Sequence, residues 1–123
     1  MFRRISLILP FLLIGSPALA EADEIGPVPA QAVIGHSYFG ENTPSQIRFI
    51  NVRNRPVRIL WVGFDGNERQ YAELAEGQEI VQPTFVAHRW LVRDAGDGQP
   101  LVAFISTRSA ARSNGTPQIA LIR

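Results

Sequence analysis

Hydrophobic and polar positions alternate along most of the chain from Ser45 onward, in short runs separated by turn residues. "SQIRFINV" runs into "RNRP", "VRILWVGF" into Asp65-Gly66, and "RQYAEL" into Glu76-Gly77. "EIVQPTF" and "HRWLVRD" follow, then Asp97-Gly98, "LVAFIS", Asn114-Gly115 and "QIALI". Runs of this kind at roughly ten-residue spacing, with no helical period between them, predict an all-β domain. About seven strands in a small β-sandwich is the expectation, with a closed barrel as the alternative that spacing leaves open.

One run departs from simple alternation. In "VRILWVGF", Val57, Ile59 and Trp61 fall on one side, and Leu60, Val62 and Phe64 on the other. A strand that is apolar on both faces needs cover on both, or it exposes an apolar patch. In "PTFVAHRWLVRDAG", read as one strand, His88 and Trp90 share a side with Thr84, and Leu91 points the other way as the expected core residue. Between Thr107 and Thr116, "TRSAARSNGT" reads as a long polar loop.

Ahead of the strands, "MFRRISLILPFLLIGSPALA" has a charged start, an apolar centre and a small-residue close. That is the pattern of a signal peptide over residues 1–20, cut after Ala20, and its apolar run is short of the roughly 20 residues that span a bilayer. The expected location is therefore outside the cytoplasm, periplasmic or secreted, with no integral membrane segment left after cleavage. Residues 21–43, beginning with the acidic and proline-spaced "EADEIGPVPAQ", read as an extended, poorly packed lead-in. The sandwich is placed at 44–123.

Charge then excludes one class of partner. Removing Arg3 and Arg4 from the 12 basic residues leaves 10 against 11 acidic ones, so the mature chain is nearly neutral and no nucleic-acid surface is indicated. Cysteine is absent, which rules out disulfides, thiolate metal sites and a cysteine nucleophile. No nucleophile elbow, phosphate-binding glycine loop or His-x-x-x-His ligand pair occurs, leaving His36, His88 and the scattered acids for catalysis or metal binding. The chain is accordingly expected not to be an enzyme and to need no metal or cofactor. Asn114-Gly115-Thr116 has the form of a glycosylation sequon, although Asn-Gly is equally a turn signal.

The remaining candidates are aromatic and hydroxylic: Trp61, Tyr71, Thr84, His88 and Trp90. Indole and phenol rings make flat apolar walls, and a threonine hydroxyl and an imidazole nitrogen both exchange hydrogen bonds. Such a set suits a small, partly apolar ring bearing one hydroxyl. It equally suits ordinary core packing, since large aromatics are usually buried.

A resemblance bears on that choice. "PSQIRFIN", "LWVGFDG" followed by Tyr71, and "HRWLVRDAG" occur in the order and spacing of the von Hippel-Lindau β-domain family, and "NGTPQIALI" is similar to its last strand. The resemblance implies a prealbumin-like sandwich that binds a hydroxylated proline in an extended peptide. It implies that Trp61, Tyr71 and Trp90 wall the pyrrolidine ring, that Tyr71 bonds the peptide backbone, and that Thr84 and His88 bond the 4-hydroxyl. Thr84 stands where the family typically has serine, Pro83 where it has histidine and Phe85 where it has tyrosine, so flanking contacts are expected to differ. Residues 40–43 depart as well. No counterpart of the family's elongin-binding helical domain is seen, so no elongin or ubiquitin-ligase partner is expected. The expected function is a non-catalytic peptide- or protein-binding module that recognises a hydroxyproline-like residue. The rival is a structural or interaction protein of the cell envelope that keeps the sandwich without the ligand.

Overall fold

The computed structural model describes residues 24–33, 37, 42–107 and 116–123. The signal segment, His36, the loop beyond Thr107 and the Asn114-Gly115 turn lie outside the described residues. Seven strands follow in order: β1 (Pro44–Asn51), β2 (Val57–Val62), β3 (Glu68–Leu74), β4 (Glu79–Phe85), β5 (Arg89–Asp94), β6 (Pro100–Ile105) and β7 (Gln118–Ile122). Gly77 between β3 and β4 and Gly98 between β5 and β6 have φ of 79° and 75°, which side-chain-bearing residues adopt only with strain.

The strands form two sheets, β4-β1-β7 and β3-β2-β5-β6, so the architecture is an open sandwich. All ladders are antiparallel except β1 with β7, which is parallel. Ile47 and Phe49 of β1, with Ile122 of the neighbouring β7, face Val57 and Ile59 of β2, Trp90 and Val92 of β5 and Phe104 of β6 across one core. Alternate positions of each strand feed that core, as period-two patterning requires. Asn51 ties the far end, its Nδ2 donating to the carbonyls of Arg55 at 2.9 Å and Leu74 at 3.0 Å.

Both faces of β2 are covered. Val57 and Ile59 enter the main core, and Val62 joins Leu91 and Ala103 in a second cluster on the outer face. The cover for that outer face is the lead-in: Val28 and Ala30 pack onto it, and Ile25 enters the main core. Over its described residues 24–33 the lead-in is therefore packed, where a poorly packed segment is expected. Its backbone also pairs. Ile25 donates to the carbonyl of Ile119 in β7, and Val28 exchanges two hydrogen bonds of 2.9 Å with Ala103 in β6. Pro27 and Pro29 lack N–H groups, but only Val28 between them faces a strand, so the prolines cost no ladder bond. Further along, the Ser37 hydroxyl donates to the Val62 carbonyl and accepts from the Arg89 N–H, clipping the ends of β2 and β5 together.

Both sides of β5 are buried, where only that of Leu91 is expected to be. Trp90, 2% exposed, fills the main core, and Leu91 belongs to the outer cluster under the lead-in. Because the lead-in makes the outer face a second interior, Leu91 is buried as well. Ile25→Ala is expected to lower stability by about 2–4 kcal/mol in urea unfolding. A change below about 0.5 kcal/mol, the scale of ordinary surface substitutions, would show that the lead-in is not part of the core.

Candidate functional site

The five candidate residues reach the same cavity from four different strands and a turn. Trp61, near the end of β2, continues the inward row of Val57 and Ile59 and is half-buried. Trp90 of β5 pairs directly with it in the ladder. Thr84 of β4 comes from the facing sheet and is buried.

Tyr71 gets there by an irregularity. Ile59 pairs with Ala72 and Leu60 with Gln70, so Tyr71 is the extra residue of a β-bulge in β3. Without the bulge, alternation from Ala72 would send Tyr71 to the outer face. With it, the phenol ring stands at right angles to Trp90 with centroids 5.2 Å apart, and 6.5 Å from Trp61.

His88 lies in the turn between β4 and β5, not in the strand itself. Ala87 before it has φ of 72°, an uncommon conformation for a residue with a Cβ. Three backbone hydrogen bonds hold the turn: Ala87 N–H to Ser106, His88 N–H to Phe85, and Ser106 N–H to the His88 carbonyl. The side-chain direction read from strand alternation is therefore right for a different reason.

Two hydrogen bonds organise the interior of the site. The Trp90 indole N–H donates to Thr84 Oγ1 at 3.0 Å, and the Trp61 indole N–H donates to His88 Nδ1 at 3.1 Å. Indole can only donate, so Nδ1 must offer its lone pair and the ring proton sits on Nε2. Burial pushes the His88 pKa below its ordinary value of 6.5, which agrees with a neutral ring. His88 thus keeps one donor, and Thr84 keeps its own hydroxyl proton and a second lone pair.

The cavity has a volume of about 330 Å³. Phe64 and Phe85 complete its rim, each within 5.5 Å of the His88 ring by centroid: 5.3 Å and 5.4 Å. Phe64 was not among the sequence candidates because its parity in "VRILWVGF" assigns it to the outer face. The strand stops at Val62, and the chain turns at Gly63, where an added Cβ would stand 3.2 Å from the Trp61 ring. That turn brings Phe64 edge-on to Trp61, 5.3 Å between centroids. The only signal for it in the sequence is the glycine. Among the described residues no carboxylate lines the cavity, and the Arg69 guanidinium already lies 5.7 Å from the Trp61 ring. Among the described residues no group of three or more His, Asp or Glu side chains could hold a metal, and no helix is long and apolar enough to cross a membrane.

Thr84→Val is expected to cost about 1–3 kcal/mol, because it removes the acceptor of the buried Trp90 N–H at nearly constant volume. Thr84→Ser should cost well under half of that, measured by the same urea titration. His88 gives a pH signature. Its folded pKa lies below the unfolded 6.5, so the unfolded chain binds the extra proton first and stability falls as pH drops from about 6.5. His88→Gln should flatten that slope between about pH 6.5 and 5; an unchanged slope would mean the imidazole does not titrate as described. A family model described as the VHL beta domain matches residues 38–107 of this chain, 70 of its 123 residues. That family is one of protein-binding modules.

Proposed function

The chain belongs to the VHL β-domain family, and on that footing we propose that it is a non-catalytic module binding a hydroxyproline-like residue in a peptide or protein. The observation that carries this reading is the pairing inside the cavity. Thr84 and His88 each use one valence on a tryptophan and keep another for a ligand. A ring hydroxyl can accept from His88 Nε2–H and donate to Thr84 Oγ1, or take the Thr84 proton in turn.

The walls support the same class of ligand. Trp61, Tyr71 and Trp90 offer apolar faces to a pyrrolidine ring, whose rigidity keeps the entropy lost on docking small. With no carboxylate among the described lining residues and Arg69 already on Trp61, a neutral ring is favoured over a cation. A ring without its hydroxyl would leave the two polar groups short of partners, at about 1–3 kcal/mol each. Sites built to bond a hydroxyl reject its absence by orders of magnitude.

The test is titration calorimetry with paired prolyl and 4-hydroxyprolyl peptides. We expect the hydroxylated peptide to bind at least about tenfold more tightly, the equivalent of one lost hydrogen bond. Thr84→Ser should keep the preference and Thr84→Val should abolish it. Equal affinities for the two peptides, or flat isotherms with both, would sink the reading in favour of an interaction module whose pocket is unused.

A further inference from the structure

β4 is a free edge of its sheet and runs past the cavity, so a bound chain could in principle extend the sheet there. Whether it can depends on which backbone groups point outward. The Val86 N–H donates to Thr43 and the Asn51 N–H to Gln78, and these residues bracket the β1–β4 register. Hydrogen-bonded pairs alternate along an antiparallel ladder, so Ile80, Gln82 and Thr84 turn their backbone groups to β1. Glu79, Val81, Pro83 and Phe85 turn theirs to the open side.

Next to the cavity that outward row is nearly spent. Pro83 has no N–H, and its carbonyl accepts from the Gln82 side-chain Nε2 at 2.9 Å. The Phe85 carbonyl accepts from the His88 N–H at 3.2 Å. Of the four edge groups that Pro83 and Phe85 could offer to an added strand, one is missing and two are engaged. The edge facing it, β3, carries the bulge at Tyr71, and bulges bend an edge away from pairing. A volume of about 330 Å³ also sits at the small end of ligand pockets, which run from about 300 to 1,000 Å³.

We propose that this site reads a single hydroxylated ring with its own flanking amides and does not register the adjoining chain by strand addition. Pro83 and Gln82 are the residues that close the edge. The ligand class is thereby widened to hydroxyprolyl residues at chain ends, in turns or in small molecules, whatever the sequence around them. This inference rests on the reading of the pocket given above.

Two probes separate it from that reading: N-acetyl-4-hydroxyproline N-methylamide, and an acetylated 4-hydroxyprolyl peptide extended by about four residues on each side, each beside its prolyl analogue. Titration calorimetry should give the two hydroxylated probes dissociation constants within about threefold of each other. Hydrogen exchange should show no protection of the Val81 amide by the long peptide. The double variant Q82A/P83V restores an edge N–H and frees a carbonyl, and should favour the long probe over the short one by about fivefold, the worth of one backbone hydrogen bond. A long probe about tenfold tighter on the unaltered protein, or a protected Val81 amide, would overturn the inference while leaving hydroxyl selectivity intact. An unchanged ratio in the double variant would also overturn it. If neither probe is preferred over its prolyl analogue, the reading of the pocket fails and takes this inference with it.

Discussion

An open two-sheet sandwich has four strand edges, and how each is handled governs the rest of this molecule. Here the edges are β4 and β7 in one sheet and β3 and β6 in the other. Unpaired edges expose backbone donors and acceptors and leave the core open between the sheets. The lead-in crosses from β7 to β6, pairing with both and placing Ile25 in the gap. Among the described residues, the other two edges, β3 and β4, receive no such cover. The cavity lies between them, and Tyr71, Pro83 and Thr84 come from those two strands. One side of the sandwich is sealed and the other is left as a pocket.

Opening a core in this way has a cost in polar satisfaction. Two indole N–H groups lie inside the site, and each must find an acceptor away from bulk water. Thr84 and His88 supply those acceptors and so serve the fold before any ligand arrives. The same bonds orient the hydroxyl and the imidazole and fix the histidine proton on Nε2. On the proposed reading, the groups that would recognise a ligand are thus held in place before it binds, which lowers the ordering cost. On that reading, substituting them changes stability and selectivity together.

Much of this was legible in the sequence. The alternating runs gave seven strands with ends near the observed ones, and Glu76-Gly77 and Asp97-Gly98 marked turns that use positive φ. The five pocket residues could be named, since their spacing follows a known family. What was not legible arises from tertiary partners. The parallel β1–β7 ladder leaves no local trace. The bulge that re-aims Tyr71 depends on its pairing with β2, and the turn that carries His88 is held by Ser106 from β6. Trp90 serves the main core as well as the cavity, and Leu91 is buried in a separate cluster because the lead-in, polar and proline-spaced on paper, turns an outer face into a second interior. Apolar residues on both sides of β2 were the signal that such a cover had to exist, but not which segment supplies it.

The seal between β6 and β7 has a kinetic side. Glu24 bridges to Ile119 and Ile25 bonds to it, while β1 pairs along its length with β7, so the earliest and latest parts of the domain meet in one seam. Contacts of such long sequence separation carry the closure entropy of the whole loop between them, and chains rich in them fold slowly. Until β7 arrives, β1 is itself an edge and the core lacks Ile119, Ala120 and Ile122. In this order of strands the other six are synthesised before the one that closes the sheet. The cost of that delay is set by topology and not by the stability of the finished sandwich.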